Sequence, residues 1–318
     1  MKPSSTSDRV LAALISIQFL FGMNYVFSKV VLQALPPLLW ASLRAMITAV
    51  ILAGIAIGAK RFNPKHARVA WRELTLFSLL GVSLNQGSFL LGLKYTSAVN
   101  SSLINTLIPV FTILMVTLMG QESTSRRREF GFLSAFIGVL LLHNIESFTS
   151  DNMTLKGDLL TLFNAIFYSL FLTTSQDFFR RHNYLWATTW IFIFGAVGLF
   201  FFSLPDWLAY TWRPLSPEVL LCAALTIVGG TVLPYLLISY TLSQTQPSLV
   251  ALFIYLQPLV ATVLGYLFFR ETITLRTIGA GALIFIGVFL AITDKKRRRP
   301  QAEEAPEAGK VLRWRQRK

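Results

Sequence analysis

The 318-residue chain is 54% hydrophobic and only 14% charged, which excludes an ordinary soluble domain. Its formal net charge of +14 invites a nucleic-acid partner, but the cations fall in short connections between apolar runs and in a terminal tail, not on one face. The one cysteine, Cys222, excludes an internal disulfide and lies inside an apolar run as a small packing residue.

After a short N-terminus (1–9), ten apolar segments follow at 10–30, 36–58, 71–93, 98–120, 128–145, 157–178, 185–204, 218–240, 247–269 and 275–293. Each suffices to cross a hydrocarbon core of about 30 Å at about 1.5 Å per helical residue. Stretches such as Leu103 to Met119 are largely apolar on every side, so the spans are helices and not the alternating strands of a barrel. No small-residue cleavage site follows the first run, which is expected to be retained as a helix. Residues 294–318 form a basic tail rich in Ala, Glu and Pro, expected to be disordered against anionic lipid.

Lys and Arg collect in alternate connections: Lys60, Arg61, Lys65, Arg68 and Arg72; then Arg126, Arg127 and Arg128; then Arg180 and Arg181; then Lys295 to Arg299. Only Lys29, Lys94, Lys156, Arg213, Arg270 and Arg276 fall on the other side. Cytoplasmic loops retain cations, so both termini are expected inside, in a bacterial-type cytoplasmic (inner) membrane.

The chain also repeats itself. Pro109, Glu122 and Gly138 recur as Pro258, Glu271 and Gly287, each 149 positions on, and Phe21, Gly22, Ser28 and Lys29 align with Tyr168, Ser169, Ser175 and Gln176 at 147. Each unit holds five crossings. Because five is odd, the second copy enters the membrane from the opposite side, giving two inverted five-helix repeats. The expected division is 10–145, an external linker at 146–156, and 157–293.

Polar residues deep in a span are costly and must face other helices or a wet cavity. Asn24, Arg44, Asn85, Gln86, Asn105 and Asn164 fall within about one turn of the midplane on its outer side, with Gln257 close to the midplane itself. Six spans thus feed one layer, as a central binding cavity requires. Arg44 keeps its charge and needs an anionic or carbonyl partner, yet no Asp or Glu lies in the interior of any span. A substrate carboxylate would meet that need, and so would helix-end carbonyls and Asn side chains in a purely structural role. The amides either read a metabolite or hold helices together. Tyr168, Tyr235 and Tyr255 with Trp40 are candidates for an aromatic surface, or for packing. Lys29 either binds or gates, or extends its head to the interface.

Glu122 and Glu271 stand at corresponding ends of the fourth and ninth spans, where they either latch gates against Arg126 or Arg127 and Arg276, or cap the following helices. Pro109 and Pro258 each remove a mid-span hydrogen bond and so permit a hinge. Gly54 and Gly58 make a small-xxx-small spacing, expected to serve internal packing.

The run Leu93-Lys94-Tyr95-Thr96-Ser97-Ala98 leading to Pro109, Glu122 and Gly138 resembles the EamA domain of the drug/metabolite transporter superfamily. Tyr255-Leu256-Gln257-Pro258 through Glu271 to Gly287 resembles its second copy, so the likeness covers about residues 8–293. It implies a ten-helix carrier of small metabolites, commonly an exporter of amino acids or related compounds. It also draws in Gly22, Asn24, Lys29 and Arg44. Phe21 stands where relatives often carry Trp, and Gln121-Glu122-Ser123 is a weak form of Gly-Glu-Arg.

An enzyme is the competing class, but His66, His143 and His182 are scattered and Gly81-Val82-Ser83 lacks the second Gly of a nucleophile elbow. No enzymatic activity, metal or cofactor is expected. The expected function is export of small metabolites, amino acids or other organic carboxylates, by alternating access; membrane lipid and the substrate are the partners, with no nucleic acid. The alternative is a non-transporting receptor or assembly subunit on the same fold.

Overall fold

A computed structural model of the chain describes residues 7–96, 98–122, 125–142, 152–260, 263 and 275–292. Six helices are long and apolar enough to cross a membrane: Asp8–Ala34, Pro37–Gly58, Trp71–Tyr95, Leu155–Arg181, Tyr184–Ala209 and Pro217–Gln244. They are the first three and the sixth to eighth spans. The fourth span is two helices, Ala98–Asn105 and Leu107–Leu118; the fifth is Arg126–Leu142, the ninth begins as Pro247–Val260, and the tenth is Leu275–Ile292. No strand occurs among the described residues. The protein is an all-α polytopic membrane protein of two inverted five-helix repeats.

Several helices outrun their apolar segments. The first has 27 residues, a rise of about 40 Å that carries it through the headgroup layers as well as the hydrocarbon. The sixth starts at Asn152, so the expected linker ends before residue 156. A short helix absent from the expected set, Pro64–Val69, is started by Asn63, whose side chain accepts from the His66 amide, with Pro64 in the first helical turn. Glu271, Arg270 and His143 lie outside the described residues, as do the tail at 294–318 and most of the expected linker.

The repeat is visible in the packing. The fifth and tenth spans pack along one another, and Ser134 Oγ donates to the Leu283 carbonyl at 3.1 Å, between positions that are themselves 149 apart. Gly287 makes this approach possible, because a Cβ there would collide with the Gly131 carbonyl and Ala135. Gly54 and Gly58, in contrast, would meet nothing within 4 Å if either carried a methyl group, so the expectation that they pack internally is overturned: both are exposed on the outer surface of the bundle.

The third and eighth spans each contain one π-helical turn, Leu79–Ser83 and Val228–Val232, again 149 positions apart. Each is centred on a glycine onto which the neighbouring repeat helix leans. A Cβ on Gly81 would lie 2.6 Å from the Phe171 ring, and one on Gly230 would strike the Asn24 amide. Asn24 and Phe171 are equivalent at the 147-residue displacement. Such overpacking costs about 1–3 kcal/mol. Gly230→Ala is therefore expected to lower the thermal stability of the purified protein by that amount while displacing Asn24, and an unchanged melting temperature would refute the close approach.

The prolines sit beside further irregularities. A proline cannot donate to the carbonyl four residues back, and its ring crowds that carbonyl. The fourth span accordingly breaks at Thr106, just before Pro109, and the ninth has a 3₁₀ turn at Phe253–Leu256, just before Pro258.

Candidate functional site

The seven side chains singled out by depth, Asn24, Arg44, Asn85, Gln86, Asn105, Asn164 and Gln257, and the aromatic candidate Tyr168 all line one central cavity. Phe21, Tyr25, Phe89, Ile108, Gly230 and Tyr235 complete its wall. The space between these side chains that is free of protein atoms is about 490 Å³. Tyr255 and Trp40 are buried but stand outside the lining, which removes them from the proposed aromatic surface.

The π-helical turns position much of this wall. The turn at Leu79–Ser83 leads directly into Asn85 and Gln86, and that at Val228–Val232 contains Gly230 and precedes Tyr235. An added residue in the turn shifts the face that the following helix presents.

One hydrogen-bond chain runs around the wall. Tyr235 OH donates to Asn85 Oδ1 (3.0 Å), Asn85 Nδ2 to Asn164 Oδ1 (2.6 Å), Asn164 Nδ2 to Asn105 Oδ1 (2.7 Å), and Asn105 Nδ2 to Tyr25 OH (2.6 Å). Tyr25 OH then donates to Gln257 Oε1 (3.3 Å), whose Nε2 reaches Gln18 Oε1 (2.7 Å). The chain joins the eighth, third, sixth, fourth, first and ninth spans. Most amides are therefore committed to one another, the interhelical role that membrane amides commonly take. Tyr25 is not among the expected site residues; its only signal is adjacency to Asn24, since tyrosine is common in membrane helices for other reasons.

Arg44 is the exception. It is 2% exposed, and its Nη2 donates to Gln86 Oε1 at 3.0 Å. Its Nε and Nη1, and Gln86 Nε2, are buried with no hydrogen-bond partner. Buried donors seldom stay unpaired, because each gives up water without compensation. Two bonded side chains of the cavity wall thus hold three donors without a hydrogen-bond partner among the described residues, with the Tyr235 hydroxyl in the same stretch of wall. A carboxylate or similar planar anion suits a guanidinium that keeps N–H groups unpaired on both of its edges. No group of three or more His, Cys, Asp or Glu side chains comes together among the described residues.

At the end of the bundle where the basic connections lie, Glu122 follows a tight helix ending. Gly120 adopts φ 66°, a left-handed conformation suited to glycine, while Gln121 N returns to the Val116 carbonyl and Gly120 N to that of Thr117. The turn delivers Glu122 to Arg128 at 2.9 Å, with side-chain exposures of 2% and 10%. The partner is Arg128, not Arg126 or Arg127, which both point to the exposed face of their helix. Glu122 also accepts from the Ser248 amide (3.2 Å) and from the Ser248 hydroxyl. It thus caps the ninth span, in the other repeat, and not the helix that follows it, whose start is capped by Ser125 Oγ accepting from Arg128 N. Arg128 further bonds Gln246 and Ser248.

At the opposite end, Lys29 Nζ donates to the carbonyls of Leu93 and Thr96, the latter at 2.7 Å, and the Thr96 hydroxyl donates to Asp158.

Back at the basic end, outside the spans, His66 Nε2 and His182 Nδ1 lie 3.0 Å apart, beside Trp186, Arg181 and the Glu73 that pairs with Arg181. Burial first, then His66 and Arg181, hold His182 below its ordinary 6.5, against the pull of Glu73. With a depressed folded value, the unfolded chain takes the proton first, so the stability of this contact is present above about pH 6.5 and is lost as pH falls towards the folded value. His182→Gln is expected to flatten the loss of thermal stability between about pH 7 and 5. A variant that tracks the parent at every pH would show that the contact is not titrating.

A family model described as the EamA-like transporter family matches residues 9–143 and 155–293. An uncharacterized transporter of Archaeoglobus fulgidus is 24% identical over 86% of this chain and 95% of its own length. The uncharacterized transporter YoaV of Bacillus subtilis is 25% identical over 92% and 99%, and a chloroplastic WAT1-related protein of Arabidopsis thaliana is 25% identical over 87% and 68%. A solved crystal structure superposes with a TM-score of 0.74 at 17% identity, over 90% of this chain and 97% of that one.

Proposed function

Because the chain belongs to the EamA-like transporter family and is a multi-pass membrane transporter, we propose that it exports small carboxylates, amino acids foremost, by alternating access at the Arg44 cavity. The observation that carries this reading is the set of unpaired donors on Arg44 and Gln86. A carboxylate would take up part of this unmet donor capacity along one edge of the guanidinium, Nε with Nη2 or Nη1 with Nη2, leaving the other donors for further acceptors on the substrate, and in a low-dielectric chamber such charge-assisted bonds are among the strongest available. Asn24, Asn85, Asn105, Asn164, Tyr168 and Gln257 then shape the chamber and orient the remainder of the substrate. Transport would require the amide chain to re-pair, because it ties together spans that must move apart.

In this reading the basic end faces the cytoplasm of a bacterial-type inner membrane. Glu122 with Arg128 closes that end, Lys29 closes the other, and Glu271 is the expected counterpart of Glu122. The discontinuities beside Pro109 and Pro258 are the hinges. A net anion leaving a negative interior gains about 2.3 kcal/mol per charge per 100 mV, whereas a zwitterion gains nothing from the potential and needs its own concentration gradient.

The test is flux of labelled amino acids in inverted membrane vesicles, each acid compared with its carboxamide. Saturable transport of one or more acids, with the amides at least tenfold slower, is expected; equal rates for acid and amide would remove the carboxylate from the mechanism. Binding without flux would instead make the protein a receptor on a transporter fold.

A further inference from the structure

Lys29 is not alone in its geometry. The residue equivalent to it at the 147-residue displacement is Gln176, and the residue equivalent to Thr96 at 149 is Thr245. Gln176 Nε2 donates to the Thr245 carbonyl at 2.6 Å, just as Lys29 Nζ donates to the Thr96 carbonyl at 2.7 Å. Thr96 and Thr245 are the extended residues that end the third and eighth spans, so in both cases the acceptor is a carbonyl at a helix C-terminus, where partial negative charge collects. The repeats are inverted, which puts one contact at each end of the bundle.

Both donors stand in line with the cavity. Lys29 is one turn beyond Tyr25 on the first span, and Gln176 is two turns beyond Tyr168 on the sixth; Tyr25 and Tyr168 both line the chamber. We propose that Lys29–Thr96 and Gln176–Thr245 are one latch built twice, closing the chamber at its two ends, and that the ammonium of the first turns the exit into a checkpoint released by a negatively charged cargo.

The asymmetry follows from the chemistry of the two donors. A neutral amide can leave its carbonyl and be satisfied by one water or by another amide. A half-buried ammonium that leaves two carbonyls needs full replacement, and among the described residues it has no carboxylate in ion-pair contact. Asp158 is close, but it is engaged by the Thr96 hydroxyl, and its own equivalent at the other end is the apolar Leu11. A carboxylate rising from the chamber supplies the missing anion; an uncharged cargo does not.

The latch half of this proposal stands without the carboxylate reading of Arg44, whereas the checkpoint half rests on it. Both are read out by a cysteine reporter at Phe89, in the cavity wall, in a Cys222→Ala background, labelled with a membrane-impermeant maleimide in right-side-out and inverted vesicles. Lys29→Met is expected to raise labelling several-fold from the outside only, and Gln176→Met from the inside only. Unchanged labelling in both, or a rise from the wrong side, overturns the latch. Lys29→Gln, which copies the geometry of the inner contact and should therefore fold, is expected to keep the exit closed at rest. Pooled amino acids enclosed in right-side-out vesicles should raise outside labelling of the parent more than pooled amino acid amides do, and Lys29→Gln should respond equally to both pools. A parent blind to the acids with both latches responding as expected defeats the carboxylate reading and the checkpoint together; a Lys29→Gln variant that still discriminates defeats the checkpoint alone.

Discussion

Arg44→Ala is expected to reduce carboxylate flux by on the order of 10²- to 10⁴-fold while leaving the protein as stable as the parent or more so. The first half of this expectation comes from losing two charge-assisted bonds at about 1.5–3 kcal/mol each, with every 1.4 kcal/mol worth a factor of ten. The second half comes from what Arg44 leaves unpaired. A buried guanidinium with Nε and Nη1 lacking partners is a cost to the resting fold, and truncating it removes that cost along with the function. A structural arginine behaves in the opposite way, losing stability first and flux only as a consequence. Thermal unfolding and vesicle flux measured on the same preparation separate the two. Arg44→Lys should fall between parent and Ala, since a lysine keeps the charge but cannot present the planar fork. Full flux in Arg44→Ala would end the substrate-anion role.

Arg128→Met is expected to destabilise the protein by about 3–5 kcal/mol, because it strands the Glu122 carboxylate in a site where the side chain is 2% exposed. The remaining Ser248 donors soften the loss without replacing a cation. The double variant Glu122→Leu with Arg128→Met should recover much of that stability, as removing both charges also removes the desolvation penalty. It should still disturb transport, because Glu122 ties the turn after the fourth span to the start of the ninth and so joins the two repeats. A double variant as unstable as Arg128→Met alone would mean the two side chains are not coupled. Chemical or thermal denaturation in detergent provides the stability comparison.

The cavity is legible in the sequence to an unusual degree, and the reason is the cost of polar groups in hydrocarbon. Asn24, Asn85, Gln86, Asn105, Asn164 and Gln257 are expensive at mid-span, so their common depth carries information that the same residues in a soluble protein would not. Tyr25 and Tyr235 complete the same hydrogen-bond chain but carry little signal, since aromatic residues enter membrane helices as packing and as interface anchors. The pairing of Glu122 escapes the sequence for a different reason. Among three consecutive arginines, which one turns inward depends on where the helix starts and how the chain enters it, and the entry is set by Gly120 and Ser125. Gly54 and Gly58 carry a spacing associated with close helix approach, yet no described residue comes close to the bare face they present.

What the sequence by itself determined was the class of molecule: helical spans, two copies of a five-pass unit, and a polar layer near the membrane centre. Those features are local or periodic, since hydropathy sums along a segment and a duplication shows as a constant displacement, and neither needs to know what touches what. Only the tertiary structure decided which donors remain unsatisfied, where the π-helical turns fall, and that Lys29 and Gln176 make matching contacts at opposite ends. The hydrogen bonds behind those outcomes join residues 42 to 69 positions apart. Whether a buried polar group is glue or receptor is a property of its neighbours, and the neighbours are chosen by the fold.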